Sequence, residues 1–275
     1  MLFLISNNVS MKKFSFIKIF IVILLLILVW AFWIEPEIIT VKHYRLNNEK
    51  LAGIRVVFVS DLHLKKSHQS KLKKIVYKIN KQKPDIVLFG GDFVNHNSDD
   101  SLDIEKMAFD LSSIESRYGV YSILGNHDRW FGAEKLKKVL ERNNIKVLVN
   151  SMLYTDIGTN RIYIAGIDDL MMGSPDINKT LKNVHSPVIL MSHSPDIFPD
   201  VPKFVDLTLA GHTHGGQVVI PFRGPFWVPS DYGSRYASGF VVEDSKKMIV
   251  TKGIGTSIIP VRFNCLPEIV VIDFE

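Results

Sequence analysis

Five short apolar runs in this chain end directly in polar residues, and that repeated junction limits the fold more than any other feature. Residues 54–60 lead into Asp61-Leu62-His63, and 85–89 lead through two glycines into Asp92. Residues 120–124 lead into Asn126-His127-Asp128, 187–191 into His193, and 206–210 into His212-Thr213-His214. The runs are short and rich in β-branched residues, which marks buried strands. In the first half they alternate with helical patterns at 68–82, at about 101–116 and at 133–143, Pro84 closing the first. A βαβαβ alternation predicts a parallel sheet covered by helices. The second half is richer in strands, at 161–166, 187–191, 206–210, 217–220, 238–242, 247–252 and 268–274. Two sheets packed face to face, with helices outside, accommodate both halves and give an α/β fold.

Ligands of an open α/β sheet bind beyond the carboxyl ends of its strands. The five junctions therefore converge on one crevice holding Asp61, His63, Asp92, Asn126, His193, His212 and His214. All are oxygen or imidazole donors and none is a thiolate. Such a set suits two divalent transition-metal ions (Mn, Fe, Zn or Co) and disfavours a structural thiolate cage. Two ions roughly 3.5–4 Å apart clamp both sides of an in-line displacement, and they make hydroxide available near neutral pH by acidifying a bridging water. The glycines before Asp92, Asn126 and His212 read as tight turns after the strands. A single Asp or His at a strand end is usually a cap or a loop residue, and His43, His68, His96 and His185 are read that way. Five loaded junctions in order are not.

The N-terminal stretch carries a different signal. Residues 19–34 hold no charge. From Phe14, with Lys18 snorkelling, the span is about 21 residues; at about 1.5 Å per residue it approaches the roughly 30 Å hydrocarbon core. Residues 1–13 then form a cytoplasmic tail, 14–34 a transmembrane signal anchor, 35–50 a linker and lead-in strand, and 51–275 the catalytic domain. Lys12, Lys13 and Lys18 precede the span, and Glu35 and Glu37 follow it. The positive-inside rule puts the domain on the extracytoplasmic side of the cell membrane. A cleaved signal peptide, exported after cutting near Val29-Trp30-Ala31, is the competing reading; a buried core helix is a third. The length of the apolar run and the bulk that follows favour the anchor.

Of the 275 residues, 47% are hydrophobic and 22% charged, a globular composition. The net charge of +5 is unaccompanied by any Lys/Arg run interleaved with aromatics, so no nucleic-acid partner is favoured. Lys71, Lys73, Lys74 and Lys78 read as the solvated face of a helix. The lone Cys265 excludes an intrachain disulfide. Nothing marks an obligate protein partner.

The blocks SDLHL (60–64), GGDFVN (90–95), GNHD (125–128), SHSPD (192–196) and GHTHGGQ (211–217) resemble the calcineurin-like metallophosphoesterase superfamily, over about residues 50–275. The stretch after GHTHGG and the later GIGTSIIPVRFNCLPEIVVI resemble its bacterial membrane-associated or exported branch. The resemblance implies a two-sheet sandwich flanked by helices and a dinuclear phosphoester hydrolase. It also implies that Asp61, His63 and His214 hold one metal, that Asn126, His193 and His212 hold the other, and that Asp92 bridges them. It makes His127 the catalytic group that protonates the leaving oxygen or stabilises charge on the phosphoryl group. Phosphoprotein phosphatases of the superfamily carry phosphate-clamping arginines in the second and third blocks; this chain has Phe93-Val94-Asn95-His96 and Asp128-Arg129. Asn95 stands where that class has an aspartate partnering the catalytic histidine. This favours phosphodiesters and pyrophosphates, with Arg129 and Asn95 as substrate contacts. Asp128 is either a support behind the ligands or a turn residue.

Large apolar residues follow the last block. Some of Val218, Val219, Ile220, Phe222, Phe226, Trp227 and Val228 must be strand core, and a reading that puts all of them there competes with the one that follows. Residues 222–232 are punctuated by Gly224, Pro225 and Pro229 and read as a loop, so Phe226 and Trp227 form a lip beside the site. Leu170, Met171 and Met172 supply an opposite wall. A membrane-held enzyme with an apolar lip predicts a lipid-linked phosphodiester or pyrophosphate as substrate. The competing functions are a nuclease, a soluble nucleotide phosphodiesterase, a two-metal amide hydrolase and a metal-binding scaffold without turnover.

Overall fold

The computed structural model describes residues 2–95, 102–158 and 160–275, with backbone alone for 2–15 and 160. His96, read above as an ordinary loop residue, and the start of the helix expected from 101 lie outside the described residues. The chain opens with helix α1 (Leu2–Val29), continues through a π-turn at Trp30–Ile34 and a 3-10 turn at Glu35–Glu37, and enters β1 (Thr40–Leu46). Then come β2 (Arg55–Val59), α2 (Gln69–Lys81), β3 (Ile86–Phe89), α3 (Ile104–Leu111) and β4 (Val120–Ser122). They are followed by α4 (Asn126–Arg142), β5 (Ile145–Val147), β6 (Ser151–Ile157), β7 (Asn160–Gly166) and α5 (Ile177–Thr180). Next are β8 (Val188–Ser192), β9 (Leu207–Ala210), β10 (Val219–Ile220) and β11 (Gly224–Pro225). The chain closes with β12 (Gly239–Glu243), β13 (Lys246–Val250) and β14 (Glu268–Phe274).

Two six-stranded sheets form, ordered β1-β14-β2-β3-β4-β5 and β12-β13-β9-β8-β7-β6. Neighbours β2 through β5 run parallel, as do β7, β8, β9 and β13. Side chains alternate across each strand, and both faces are used. Val56 and Phe58 of β2 meet Ile164, Ile189 and Leu209 from the second sheet in the core between the sheets. Val57 and Val59, one residue out of phase, pack under Leu72, Ile75, Met107 and Leu136 of the covering helices. The second sheet's outer face is closed by residues such as Ala165, Leu190, Phe198 and Tyr236.

Several boundaries differ from the sequence reading. α4 begins at Asn126, and a non-helical Gly132 (φ 132°) divides it, so the expected 133–143 helix is its second part. β6 was not expected; its residues are half-buried or exposed, which gave no continuous apolar run. The lead-in strand expected within 35–50 forms as Thr40–Leu46, an edge strand parallel to β14, while the turn before it is held against the domain, with Glu35 and Pro36 buried. Lys71 does not belong to a solvated face: its ammonium is buried and donates to the Pro36 carbonyl (2.8 Å) and to Glu37 (3.1 Å).

Candidate metal centre

Because β2, β3, β4, β8 and β9 all point the same way within their sheets, their carboxyl ends gather Asp61, His63, Asp92, Asn126, His193, His212 and His214 at one edge of the sandwich. All but the half-buried His212 are buried. They form a continuous row. His214 Nε2 lies 3.7 Å from Asp61 Oδ1 and 3.0 Å from His63 Nε2. His63 Nε2 is 3.4 Å from Asp92 Oδ2, which is 3.2 Å from His193 Nε2. His193 Nε2 in turn is 3.1 Å from Asn126 Oδ1 and 3.3 Å from His212 Nδ1. Asp92 thus sits at the middle, between the two trios.

Backbone conformation marks the same residues. Asp61, His63, Asp92, His212 and His214 all have φ between 43° and 70°, the left-handed region that side chains disfavour. Each costs about 1–3 kcal/mol and persists only where the surroundings impose it. The preceding glycines serve two different needs. Gly91 has φ +90°, whereas Gly125 and Gly211 are required by space. A Cβ on Gly125 would stand 2.2 Å from Asp92 Oδ1, and one on Gly211 2.5 Å from Asp61 Oδ2.

The charge balance inside the row asks for a cation. Buried carboxylates and imidazole lone pairs face one another at close range, an arrangement unfavourable without positive charge between them. Burial, helped by Asp92, pushes Asp61 up to about 6. Burial pulls His63 and His212 down to about 3, and His214 well below its usual value. Burial would also depress His193, but the carboxylates of Asp92, Asp61 and Asp169 together outweigh it and hold His193 well above the ordinary range. Burial acts to raise Asp92, yet His193, His63 and His127 together hold it lower than a free carboxylate. His193 is oriented by its Nδ1–H, which donates to the Gly90 carbonyl at 2.8 Å and leaves Nε2 facing the row. Among the described residues, three groups meet the spacing of metal ligands: Asp61-His63-His214, His63-Asp92-His127 and Asp61-Asp92-His193. The donor set therefore fits a dinuclear divalent site.

His127 stands at the open side. Its backbone N–H donates to Asp92 Oδ1 (2.9 Å), and its ring meets His63 and Trp130 edge-on at 4.5 and 4.9 Å. Its Nε2 lies 3.4 Å from Ser257 Oγ, a residue that the sequence reading quoted within GIGTSIIP but did not single out. Ser257 is fixed by Gln217, which accepts its N–H at 2.7 Å. Asn95 is buried on the neighbouring loop, where its N–H donates to the Leu64 carbonyl. Arg129 is paired with Asp168, another residue the sequence did not flag. Phe226 and Trp227 are exposed, as are Met171 and Met172, while Val228 is core. The loop carrying Trp227 runs tightly over Gly216, two residues beyond His214.

Asp128 braces this row from behind. Its carboxylate accepts N–H groups from Asp92 (2.7 Å), Gly125 (3.0 Å) and Val94 (3.2 Å), joining the β3 and β4 loops; burial and then Asp92 push it up to about 8. Asp128→Ala orphans three donors, each worth roughly 1–3 kcal/mol if left buried. With partial relaxation the expected loss is about 3 kcal/mol, a fall in Tm of roughly 6–12 °C for a domain of this size. Thermal unfolding of the detergent-solubilised variant reads it, and an unchanged Tm would return Asp128 to a simple turn role.

Comparison with known proteins places these features in context. Residues 54–216 match the family model described as calcineurin-like phosphoesterase. The chain is 32% identical to the uncharacterized metallophosphoesterase YkuE of Bacillus subtilis (strain 168), over 88% of this chain and 87% of that one. It is 29% identical to the phosphodiesterase YaeI of Escherichia coli (strain K12), over 87% and 89%. A Danio rerio transmembrane protein with metallophosphoesterase domain is 30% identical over 80% of this chain and 53% of its own length.

Proposed function

We propose, on the premise that this chain belongs to the calcineurin-like phosphoesterase family, that it hydrolyses phosphodiesters or pyrophosphates carried on membrane lipids. The chain is a metal-dependent phosphoester hydrolase of α/β two-sheet fold, and its His/Asp cluster suits two divalent ions. The observation that carries the reading is the unbroken row from Asp61 to His212 with Asp92 at its centre. Bound ions would supply Lewis acidity and a nucleophilic water there. Asp61, His63 and His214 would hold one, Asn126, His193 and His212 the other, and Asp92 both. His127, beside the row and turned to the open side, would protonate the departing oxygen, which suits imidazole near neutral pH. The Asp168 pairing fixes Arg129 in place, so a phosphate contact would use the remaining N–H groups of its guanidinium. Asn95 is proposed as a further polar contact.

The membrane part rests on the apolar helical stretch from Phe16 to Glu37, which is long enough to cross a bilayer and is exposed over most of its length. The YaeI name supports diester chemistry, and the zebrafish relative's name supports membrane association. The lysines before the span favour an extracytoplasmic domain. The exposed Phe226 and Trp227 beside the GHTHGG turn favour a lipid-borne substrate. Phe226→Ser with Trp227→Ser should leave hydrolysis of a soluble chromogenic diester within about twofold and cut turnover of a lipid-linked pyrophosphate in mixed micelles by about tenfold, near 1.4 kcal/mol. Equal losses on both substrates would reject the lipid-gripping role.

A further inference from the structure

We infer that the catalytic domain lies pressed against the bilayer, with loops 222–228 and 257–261 seated in its interfacial layer beside the end of α1. The inference deepens the membrane reading above and depends on it.

The helix is fused to the domain. Beyond Val29 the chain does not cross a flexible spacer. The buried Glu35 carboxylate accepts the N–H groups of Cys265 (2.5 Å) and Asn264 (3.0 Å) and the indole N–H of Trp30 (2.6 Å). The Ala31 carbonyl accepts the Arg262 N–H at 2.9 Å, and Lys71 holds the Pro36 carbonyl. A charged group taken out of water needs such donors, and here they all belong to the helix end or to one segment, 262–265.

That same segment backs the metal centre. The fully buried Arg262 guanidinium donates to the carbonyls of Gly255 (2.6 Å), Lys252 (2.8 Å) and Cys265 (3.0 Å). Gly255 packs on the backbone of Asp61 and on His63, and the Cys265 thiol donates to the His214 carbonyl at 3.3 Å. A single layer of residues therefore separates the emerging helix from the first trio of ligands.

The two loops flanking this layer carry exposed apolar side chains. Phe226 is 72% and Ile258 84% exposed, and Phe222, Trp227 and Ile259 are exposed as well. The loops are tied together: the Gln217 amide donates to the Ser257 and Ile259 carbonyls, and the Val219 N–H to the Phe263 carbonyl. Trp30, Trp33 and Ile34 are exposed on the adjoining helix end. Aromatic and aliphatic side chains clustered where a spanning helix leaves the hydrocarbon are suited to the membrane–water interface. A rigid connection leaves these loops no route away from the lipid surface. The occupant of the patch is the bilayer, and the mouth of the site opens onto headgroups.

The test uses the full chain in phosphatidylcholine–phosphatidylglycerol liposomes. Phe226→Cys, Ile258→Cys and Arg45→Cys are labelled separately with an environment-sensitive fluorophore. Arg45, near the far end of β1, lies at the opposite edge of the sheet. Shallow nitroxide lipids should quench labels at 226 and 258 at least twofold and leave the label at 45 unchanged, with aqueous iodide showing the reverse. Iodide quenching at 226 or 258 as strong as at 45, without quenching by nitroxide lipid, would overturn the inference. Turnover of a soluble diester by the same liposomes tells the two failures apart, because an active enzyme with water-exposed loops leaves the phosphoesterase reading standing.

Discussion

Replacing Asp92 with alanine is expected to empty the metal site and stop turnover together. Asp92 Oδ2 is within 3.4 Å of one trio's imidazole and 3.2 Å of the other's, so its carboxylate is the group that both halves share. Its second oxygen accepts the His127 N–H, which ties the proposed proton donor to the same anchor. Metal-ion electrostatics contribute several kcal/mol to such reactions. A loss of about 4 kcal/mol is on the order of 10³-fold in kcat/KM. The fold should survive, since Asp128 still receives the backbone N–H of residue 92. Metal analysis beside turnover checks the claim, and a variant keeping both ions and near-full activity would remove Asp92 from the bridging position.

His127→Ala should separate chemistry from metal binding. The expected loss in kcat is about 10²–10⁴-fold for substrates with poor leaving groups, the usual yield of a positioned general acid. It should shrink for a good leaving group such as p-nitrophenolate, which departs without a proton. Bound metal should stay near two ions per chain. His127 also sits within ligand distance of His63 and Asp92. An emptied site in the variant would therefore make it a ligand and end its assignment to proton transfer.

Much of this arrangement was legible in the sequence because it rests on local signals. β-branched runs marked the strands, and parallel strands bring their carboxyl ends to one edge, so the residues after each run had to converge. What escaped depends on contacts between distant segments. No local pattern announces that Glu35 and Lys71 are buried, because their partners lie elsewhere in the chain: Cys265 and Asn264 for the first, Pro36 and Glu37 for the second. The left-handed backbone of Asp61 and Asp92 was hidden for the same reason; neither residue type demands it, and the surrounding loops impose it. Asp128 read equally as a turn until its three N–H donors were visible. Ser257 and Asp168 looked ordinary until the fold set them against His127 and Arg129. Residues 35–50 read as a linker and lead-in strand; the strand was legible, but the burial of Glu35 and Pro36 ahead of it was not.

The central claim is a phosphoester hydrolase run by two divalent ions in the row from Asp61 to His212. Its most direct measurement pairs metal content with turnover of a phosphodiester, on full-length protein before chelation, after chelation, and after titration with Mn or Co. Activity should vanish with the ions and return as the titration approaches two ions per chain. Full turnover by protein shown to be metal-free would contradict it.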